Sequence, residues 1–414
     1  MGIYIQCQGK FTGLFPKCDG QRLVDSARRW ANDFGLPDLF YGAADANGAS
    51  ISIYPAAELI RFDIKGREVS FDVKTSIAGP GYHAAIVALC DHFEKDLKIA
   101  WDWQQAVDDS GYAQDRSLPH LMGEFHQQFH TLCQRIKEIH LEQGLDSLAL
   151  NLPIGLTSNI SAHIATPLGH LSVQLFLDAA DNPDSTNAQQ FYPWWPLDSE
   201  EEFWVKTLGA LLWAETEWRY PRTAWEKHTH TTGIELGKRL RPLLDAEMIA
   251  AVDELATKSA EADTFIPPVP KGIGHRRQAR FFSLPGPWQV ELPGYYIENI
   301  EGKDSETVCL WFGNEEIRGS SFIYTLESGH TLPWSESLQG APEKRNKTCV
   351  FRLPDVAEPS AHEAGFFQAM AEFHATDGDN AHMLLLSIFG NSSDILKRLE
   401  QVADTISYQT PSEP

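Results

Sequence analysis

A proline-rich stretch limits the folds that this chain of 414 residues can adopt. Pro267, Pro268 and Pro270 lack a backbone donor and cannot continue a helix, so the stretch is typical of an extended connector. The chain is also too long for one ordinary hydrophobic core. We therefore predict an N-terminal domain at residues 1–263, a linker at 264–274 and a C-terminal domain at 275–414.

Hydrophobic periodicity predicts α+β structure in both parts. Apolar and charged residues alternate on either side of residues 65–67, which is typical of two antiparallel strands joined by a turn. From Leu118 to Ile139, apolar residues recur every three or four positions and predict one long helix with a buried face. We expect each part to be an antiparallel-rich sheet packed with helices, and the first part to be larger and more helical.

The same patterns predict the remaining elements. Helices are expected at residues 21–34, 82–97, 243–259, 362–374 and 393–406, and from Ser199, which is a candidate N-cap. Strands are expected at residues 3–6, 147–152, 161–177, 288–292, 295–300, 308–312, 322–326 and 383–389.

The net charge of −23 is the one global property that departs from that of an average globular protein. Such a negative field repels phosphate backbones and anionic lipids, so we expect neither nucleic-acid nor membrane binding. The field favours association with a basic protein, although the same charge also serves solubility alone.

Cysteine spacing and the N-terminal residues predict a cytoplasmic protein. The six cysteines are widely spaced and form no C-x-x-C pair, so we expect reduced thiols and neither a disulfide framework nor a thiolate metal site. Residues 1–15 lack the apolar core of a signal peptide, and apolar runs such as 208–214 are too short to span a membrane.

Each of two loop motifs can be interpreted either as a ligand-binding site or as a purely structural loop. Gly79, Pro80 and Gly81 precede a helix and could bind an anion, but the Lys-Ser/Thr ending of a P-loop is missing and a plain turn is favoured. An acidic set follows, which could hold a hard cation or could equally form a solvated loop; it comprises Asp102, Asp108, Asp109 and Asp115.

Histidines provide the sharpest local signal. His126 and His130 are four positions apart on the long predicted helix, so both could reach one metal ion. The zincin glutamate is missing and no third ligand can be assigned, so we predict no metal and keep this pair as the alternative. Residues 228–232 would place two further histidines on one side if extended, and we interpret them as scattered polar positions.

Tryptophans concentrate in residues 191–225, which hold six of the twelve in the chain. Trp204 and Trp218 fit the face of a predicted helix, whereas Trp194 and Trp195 are candidate anchors for a partner. Glu215 and Glu217 face different ways on a helix, so they cannot flank one glycosidic bond.

These observations favour binding over catalysis. We predict an acidic protein-binding protein, such as an immunity-type neutraliser or adaptor for a basic partner, with Asp108, Asp109, Trp194 and Trp195 as partner-binding residues and no cofactor. The alternative is a hydrolase that works with or without a metal ion. Its catalytic residues would be His83, Asp108 and Asp109, and its metal ligands would be His126 and His130.

The linker prediction is testable by limited proteolysis. We expect the first cut between Thr264 and Gly274, because a proline-rich connector makes few contacts and exposes its backbone. Two stable fragments should then be seen by mass spectrometry. A first cut within residues 118–139 while the linker stays intact would contradict the two-part organisation.

Overall fold

The computed structural model describes residues 2–13, 19–143, 148–152, 160–182, 186–221, 223–260, 272–277, 279–293, 296–300, 307–312, 315–325, 331–359, 367–377, 380–390 and 394–409. Helices and mostly antiparallel sheets occur together in these ranges, so the predicted α+β fold is confirmed. Residues 261–271, which include most of the predicted linker, lie outside the described residues, and the domain boundaries stay a prediction.

Backbone contacts define two compact units. Unit 1 comprises the described residues of 1–217, 221–260 and 272–275, and unit 2 comprises those of 218–220 and 276–414. No helix in the described part of the chain is both long enough and apolar enough to cross a membrane.

Unit 1 contains ten strands and nine α-helices among its described residues. The strands are β1 (Tyr4–Phe11), β2 (Tyr41–Asp45), β3 (Gly48–Ser52), β4 (Ile60–Lys65), β5 (Glu68–Lys74), β6 (Ile99–Trp101), β7 (Val107–Asp108), β8 (Leu148–Ala149), β9 (His163–Thr166) and β10 (Gly169–Ser172). The helices are α1 (Gly20–Phe34), α2 (Pro80–Leu97), α3 (Tyr112–Asp115), α4 (Leu118–Gln143), α5 (Val173–Asp181), α6 (Asn187–Phe191), α7 (Glu200–Ala210), α8 (Ala224–Leu240) and α9 (Ala246–Ala260).

The main sheet of unit 1 is antiparallel and has strand order β2-β3-β4-β5-β1-β6, with β7 also paired to β1. The predicted hairpin around residues 65–67 is confirmed as β4 and β5, with Lys65 opposite Glu68. One face of the sheet buries Ile5, Phe62 and Phe71, and α1 packs against β2, β3 and α2. The apolar alternation of these strands therefore gives the sheet one core face.

Helix α4 confirms the predicted long amphipathic helix. Its buried positions recur at the spacing of helical turns and pack with α5 and α6 in one apolar cluster: Leu121, Phe125, Phe129, Cys133 and Ile136. The N-cap Ser199 of α7 is also confirmed, since its hydroxyl accepts from Glu202 N while the Glu202 carboxylate accepts from Ser199 N.

Unit 2 contains eleven described strands and one α-helix. They are β11 (Ala279–Ser283), β12 (Trp288–Pro293), β13 (Ile297–Ile300), β14 (Thr307–Phe312), β15 (Glu315–Thr325), β16 (Glu343–Arg345), β17 (Val350–Arg352), β18 (Glu358–Pro359), β19 (Phe367–Asp377), β20 (Asn380–Gly390), α10 (Ile395–Ala403) and β21 (Ile406–Tyr408). The larger sheet has order β13-β14-β15-β20-β19-β17-β16, and β11-β12-β21 form a smaller one. Helix α10 packs on β19, β20 and β12.

Residues 228–232 lie in α8, which begins after the N-cap Thr223, so the extended conformation considered for the two histidines does not occur. Two predicted elements differ from the structure. The strand predicted at 161–177 becomes a short hairpin and then α5, because the Ser172 hydroxyl accepts from Gln174 N and caps that helix. The described part of the helix predicted at 362–374 is strand β19, whose residues pair with β20 along its whole length.

A close contact between Trp194 and the first turn of α2 offers a test of packing in unit 1. A Cβ at Gly81 would overlap the Trp194 indole, whereas a Cβ at Gly123 in α4 meets open space. We expect Gly81→Ala to lower the free energy of unfolding by roughly 1–3 kcal/mol through overpacking.

The matched control is Gly123→Ala, which should raise the free energy of unfolding by about 0.5–1 kcal/mol because alanine restricts the unfolded chain and favours a helix. Urea unfolding of both variants measures the difference. Equal effects at the two positions would contradict the contact with Trp194.

Candidate functional site

His83, Asp108 and Ser110 form a buried polar cluster in unit 1. His83 Nε2 lies 3.4 Å from Asp108 Oδ2 and 3.3 Å from Ser110 Oγ, and Nδ1 lies 2.9 Å from Thr75 Oγ1. Ser110 Oγ donates to Asp108 Oδ1 at 2.7 Å. The cluster joins the start of α2 to the turn that follows β7.

Backbone amides complete the environment of the Asp108 carboxylate. Ser110 N donates to Oδ1 at 2.8 Å, and Ala113 N donates to Oδ2 at 2.7 Å. The side chains of His83 and Asp108 have 0% exposure. The sequence predicted His83 and Asp108 but missed Ser110, although Asp-x-Ser before a glycine is typical of a turn in which the carboxylate accepts from the amide two residues on.

The Asp108 carboxyl is held ionised inside the protein. Burial on its own raises the pKa of Asp108, but the hydrogen bond and charge of His83, together with donors from Ala113 and Ser110, outweigh burial and lower the pKa to about 2. A buried carboxylate with this many donors stabilises the fold at neutral pH.

The cluster has the residue types of a hydrolase but not the arrangement. In a catalytic relay the histidine stands between serine and aspartate, whereas here one carboxylate binds both Ser110 and His83. Neither the His83 nor the Asp108 side chain has solvent-exposed surface in this conformation. The geometry instead ties a loop to a helix.

Asp109 lies apart from Asp108 although the two residues are adjacent. Asp108 is opposite Ile5 in the pairing of β7 with β1, on the core face of the sheet. Asp109 is exposed, and its carboxylate accepts from Tyr4 N at 3.0 Å. Because side chains alternate across a strand, neighbouring residues point to opposite faces. The structure therefore does not bring all three predicted catalytic residues together.

His126 and His130, the alternative metal pair, both lie on α4. His130 Nδ1 donates to the carbonyl oxygen of Ala179 at 3.0 Å, and Nε2 lies 3.4 Å from the Gln134 amide nitrogen. His126 is half-buried. Across the residues that the structure describes, no three His, Cys, Asp or Glu side chains are grouped to hold a metal ion. The alternative metal pair thus gains no third ligand.

Trp194 and Trp195, the predicted anchors, are core residues of unit 1. They are 9% and 7% exposed, and Trp194 is fixed by its backbone amide, which donates to Ala78 O at 2.8 Å. Trp195 stacks on Tyr192, with ring centroids 6.1 Å apart. Neither indole presents a surface to a partner.

The face of the main sheet opposite the core is open to solvent. Every second residue of β1 is exposed there, and the paired residues of β5 lie beside them, with Gln6 opposite Asp72 and Lys10 opposite Glu68. Tyr4 is 43% exposed and Val107 is 59% exposed on the same face. We call this surface the open sheet face.

The open sheet face carries more carboxylates than cations. Strand pairing places these charged residues on it: Asp45, Asp63, Glu68 and Asp72, against Lys10, Arg61, Lys65 and Lys74. Asp102 lines the trough on this face, and Asp109 binds the backbone amide of Tyr4. A trough of about 300 Å³ runs between Gln8, Asp63, Glu68 and Asp102. This surface is polar and net acidic.

One ion-pair group orders the β2 side of this face. Arg61 Nη1 lies 2.6 Å from Asp45 Oδ2, and Arg61 Nε lies 3.1 Å from Asp63 Oδ1. The hydrogen bond from Arg61 is the main reason that the pKa of Asp45 falls to about 2.

The buried carboxylate makes stability depend on acid pH. Because the folded-state pKa of Asp108 lies below its unfolded value of about 3.9, its contribution is present above pH 4 and is lost as pH falls toward 2. We expect Asp108→Asn to lower the free energy of unfolding by about 2 kcal/mol at pH 7, and the difference from wild type to narrow between pH 5 and pH 2.

Urea unfolding at several pH values measures this difference. The matched control is Asp109→Asn on the opposite face, which should cost less than about 1 kcal/mol at pH 7. A loss at Asp108→Asn that stays constant from pH 7 to pH 2 would contradict the role assigned to the charge.

Comparison with known proteins adds no family to these observations. No protein-family model matches the chain, and no curated protein matches it. A crystal structure from Bacteroides thetaiotaomicron VPI-5482 at 1.50 Å resolution is similar over 32% of this chain and 48% of that chain, with 12% identity and a TM-score of 0.22. The chain thus spans about half the length of that protein, and a similarity this weak carries no argument about fold or function.

Proposed function

We propose that this protein binds a basic partner protein through the open sheet face of unit 1, in the manner of an immunity-type neutraliser or adaptor. The observation that carries the proposal is the combination, on one solvent-exposed surface, of excess carboxylates with the exposed side chains of Tyr4 and Val107. Such a surface offers apolar anchors within a polar, charged surround.

The register of the strands supports a defined binding surface. Tyr4 is opposite Lys74, and Val107 is opposite Gln6, so the two apolar side chains stand on neighbouring strands. Asp109 accepts from the Tyr4 amide and lies at the same end of the sheet. An anchor held on paired strands loses little conformational entropy when a partner binds.

Charge supports a basic partner over an acidic one. The whole chain carries −23, and the open sheet face adds a local excess of carboxylates to that field. Long-range attraction raises the association rate of an oppositely charged protein, while close contacts set how long the complex lasts.

The hydrolase alternative receives no comparable support. Its residues His83 and Asp108 have no exposed side-chain surface, and Asp109 faces away from them. His126 and His130 lie on α4, where His130 is already bound to the Ala179 carbonyl. The polar cluster is better explained as a loop anchor.

The proposal predicts that the exposed carboxylates control the rate of association. Wild-type protein and the double variant Asp72→Lys with Asp102→Lys are used as bait in host lysate at 50 mM and 500 mM salt. A basic protein that is enriched by the wild type at low salt is then purified. We expect its association rate constant to fall about tenfold or more in the double variant and at high salt, with a smaller change in the dissociation rate.

The matched control is Asp33→Lys with Glu142→Lys, which changes net charge equally but lies in the last turns of α1 and α4. Lysine is compatible with those positions, because a helix C-terminus favours cations. Tyr4→Ala should instead raise the dissociation rate. Equal effects of the two charge-reversal pairs, or enrichment of no basic protein, would contradict the proposed surface.

A further inference from the structure

A separate cavity of about 300 Å³ lies beside α4, within unit 1 and away from the open sheet face. Its described lining residues come from four parts of the chain: Ser76, α4, residues 150–151 and residues 191–192 at the end of α6. This volume is at the small end of the range for ligand pockets, so a single-ring or short-chain compound would fill it.

One wall is a continuous stripe of α4. Gln128, Leu132 and Arg135 follow one another at helical spacing, and all three line the cavity. Thr131 lies at the exposed rim of the same stripe. The stripe thus presents an amide, an apolar side chain and a guanidinium in order along the helix.

The floor is aromatic and rigid. Phe191 and Tyr192 are buried, with 2% and 1% exposure, and their rings contact each other with centroids 5.0 Å apart. The Tyr192 hydroxyl lies 3.1 Å from Gln128 Oε1 and 3.2 Å from Phe125 O. Since Gln128 Oε1 accepts there, its Nε2 is the donor end of the side chain that remains for a ligand.

The opposite wall adds an apolar and a polar group. Leu150 packs against the apolar cluster of α4. Asn151 has a left-handed backbone with φ of 58°. Its Nδ2 lies 3.4 Å from the carbonyl oxygen of Ser76. Asparagine tolerates this conformation, and such positions are frequent where a loop holds a ligand group in place.

Arg135 is the one charged side chain among the described lining residues. Its Nη1 donates to Glu138 Oε2 at 2.8 Å, which directs one edge of the guanidinium along the helix and leaves other N–H groups for an anion. A lone cation over an apolar and aromatic floor fits a ligand with a carboxylate at one end and a hydrophobic body.

We propose that this cavity binds a small organic monocarboxylate. The carboxylate pairs with Arg135 and accepts from Gln128 Nε2, and the hydrophobic body packs on Leu132, Leu150 and Phe191. This site is independent of the proposed partner-binding surface, because it shares no residue with it.

The test uses hexanoate and benzoate as probes, with benzamide as the neutral analogue of benzoate. Binding to the 414-residue chain is measured by ligand-detected NMR and by the shift in melting temperature. We expect both carboxylates to bind the wild type in the millimolar range or tighter, and Arg135→Gln to weaken benzoate at least threefold while the affinity for benzamide stays unchanged.

Two blocking variants locate the binding. Leu132→Trp fills the cavity, and Thr131→Trp does so from an exposed rim position where the risk to folding is low. Either variant should abolish binding of all three probes, whereas Lys137→Gln, which removes a cation outside the cavity on the same helix, should leave binding intact. Failure of both carboxylates to bind the wild type, or binding that survives Thr131→Trp, would overturn the proposal.

Discussion

Strand β1 is the element on which unit 1 depends, because it is paired along both edges and buried on one face. It binds β5 on one side and β6 and β7 on the other. Its alternation places Ile5 and Cys7 in the core and Gln6 and Gln8 in solvent. A shift by one residue would exchange these two sets, so the buried face fixes the register of every strand attached to it.

This constraint explains why two adjacent aspartates have different surroundings. Pairing with β1 directs Asp108 into the core, where an uncompensated carboxylate would be costly. The structure supplies His83, the Ser110 hydroxyl and two backbone amides around that group. A cluster that has the residue types of a catalytic site is thereby explained by the need to satisfy one buried charge.

Local sequence patterns predicted the elements whose stability is itself local. The β4–β5 hairpin, the apolar stripe of α4 and the N-cap at Ser199 all follow from residues within a few positions of each other. A helix was predicted at residues 362–374, but in the described part of this range the pairing of β19 with β20 along eleven residues decides the outcome.

The site was less predictable, since its parts are distant in sequence. Strand β7 has only two residues, and its partner in β1 lies about 100 positions away, so nothing near Asp108 and Asp109 indicates which of them is buried. Trp194 and Trp195 are of a residue type that often anchors interfaces. However, because Gly81 has no side chain, the Trp194 indole packs against it in the core. Tyr4 and Val107, which the sequence did not single out, are the exposed apolar side chains on the open sheet face.

The net charge of the chain and the individual carboxylates of the open sheet face act over different distances. At physiological salt, the Debye length of about 8 Å limits the reach of the total charge of −23. Under the proposed function, this charge would orient a basic partner without selecting one. Arg61 holds Asp45 and Asp63 in place through two ion pairs. These two carboxylates are already neutralised in part, so Asp72, Asp102 and Asp109 remain to meet the cations of a partner. A basic protein would thus be attracted by the whole chain but recognised by the few carboxylates beside Tyr4 and the trough.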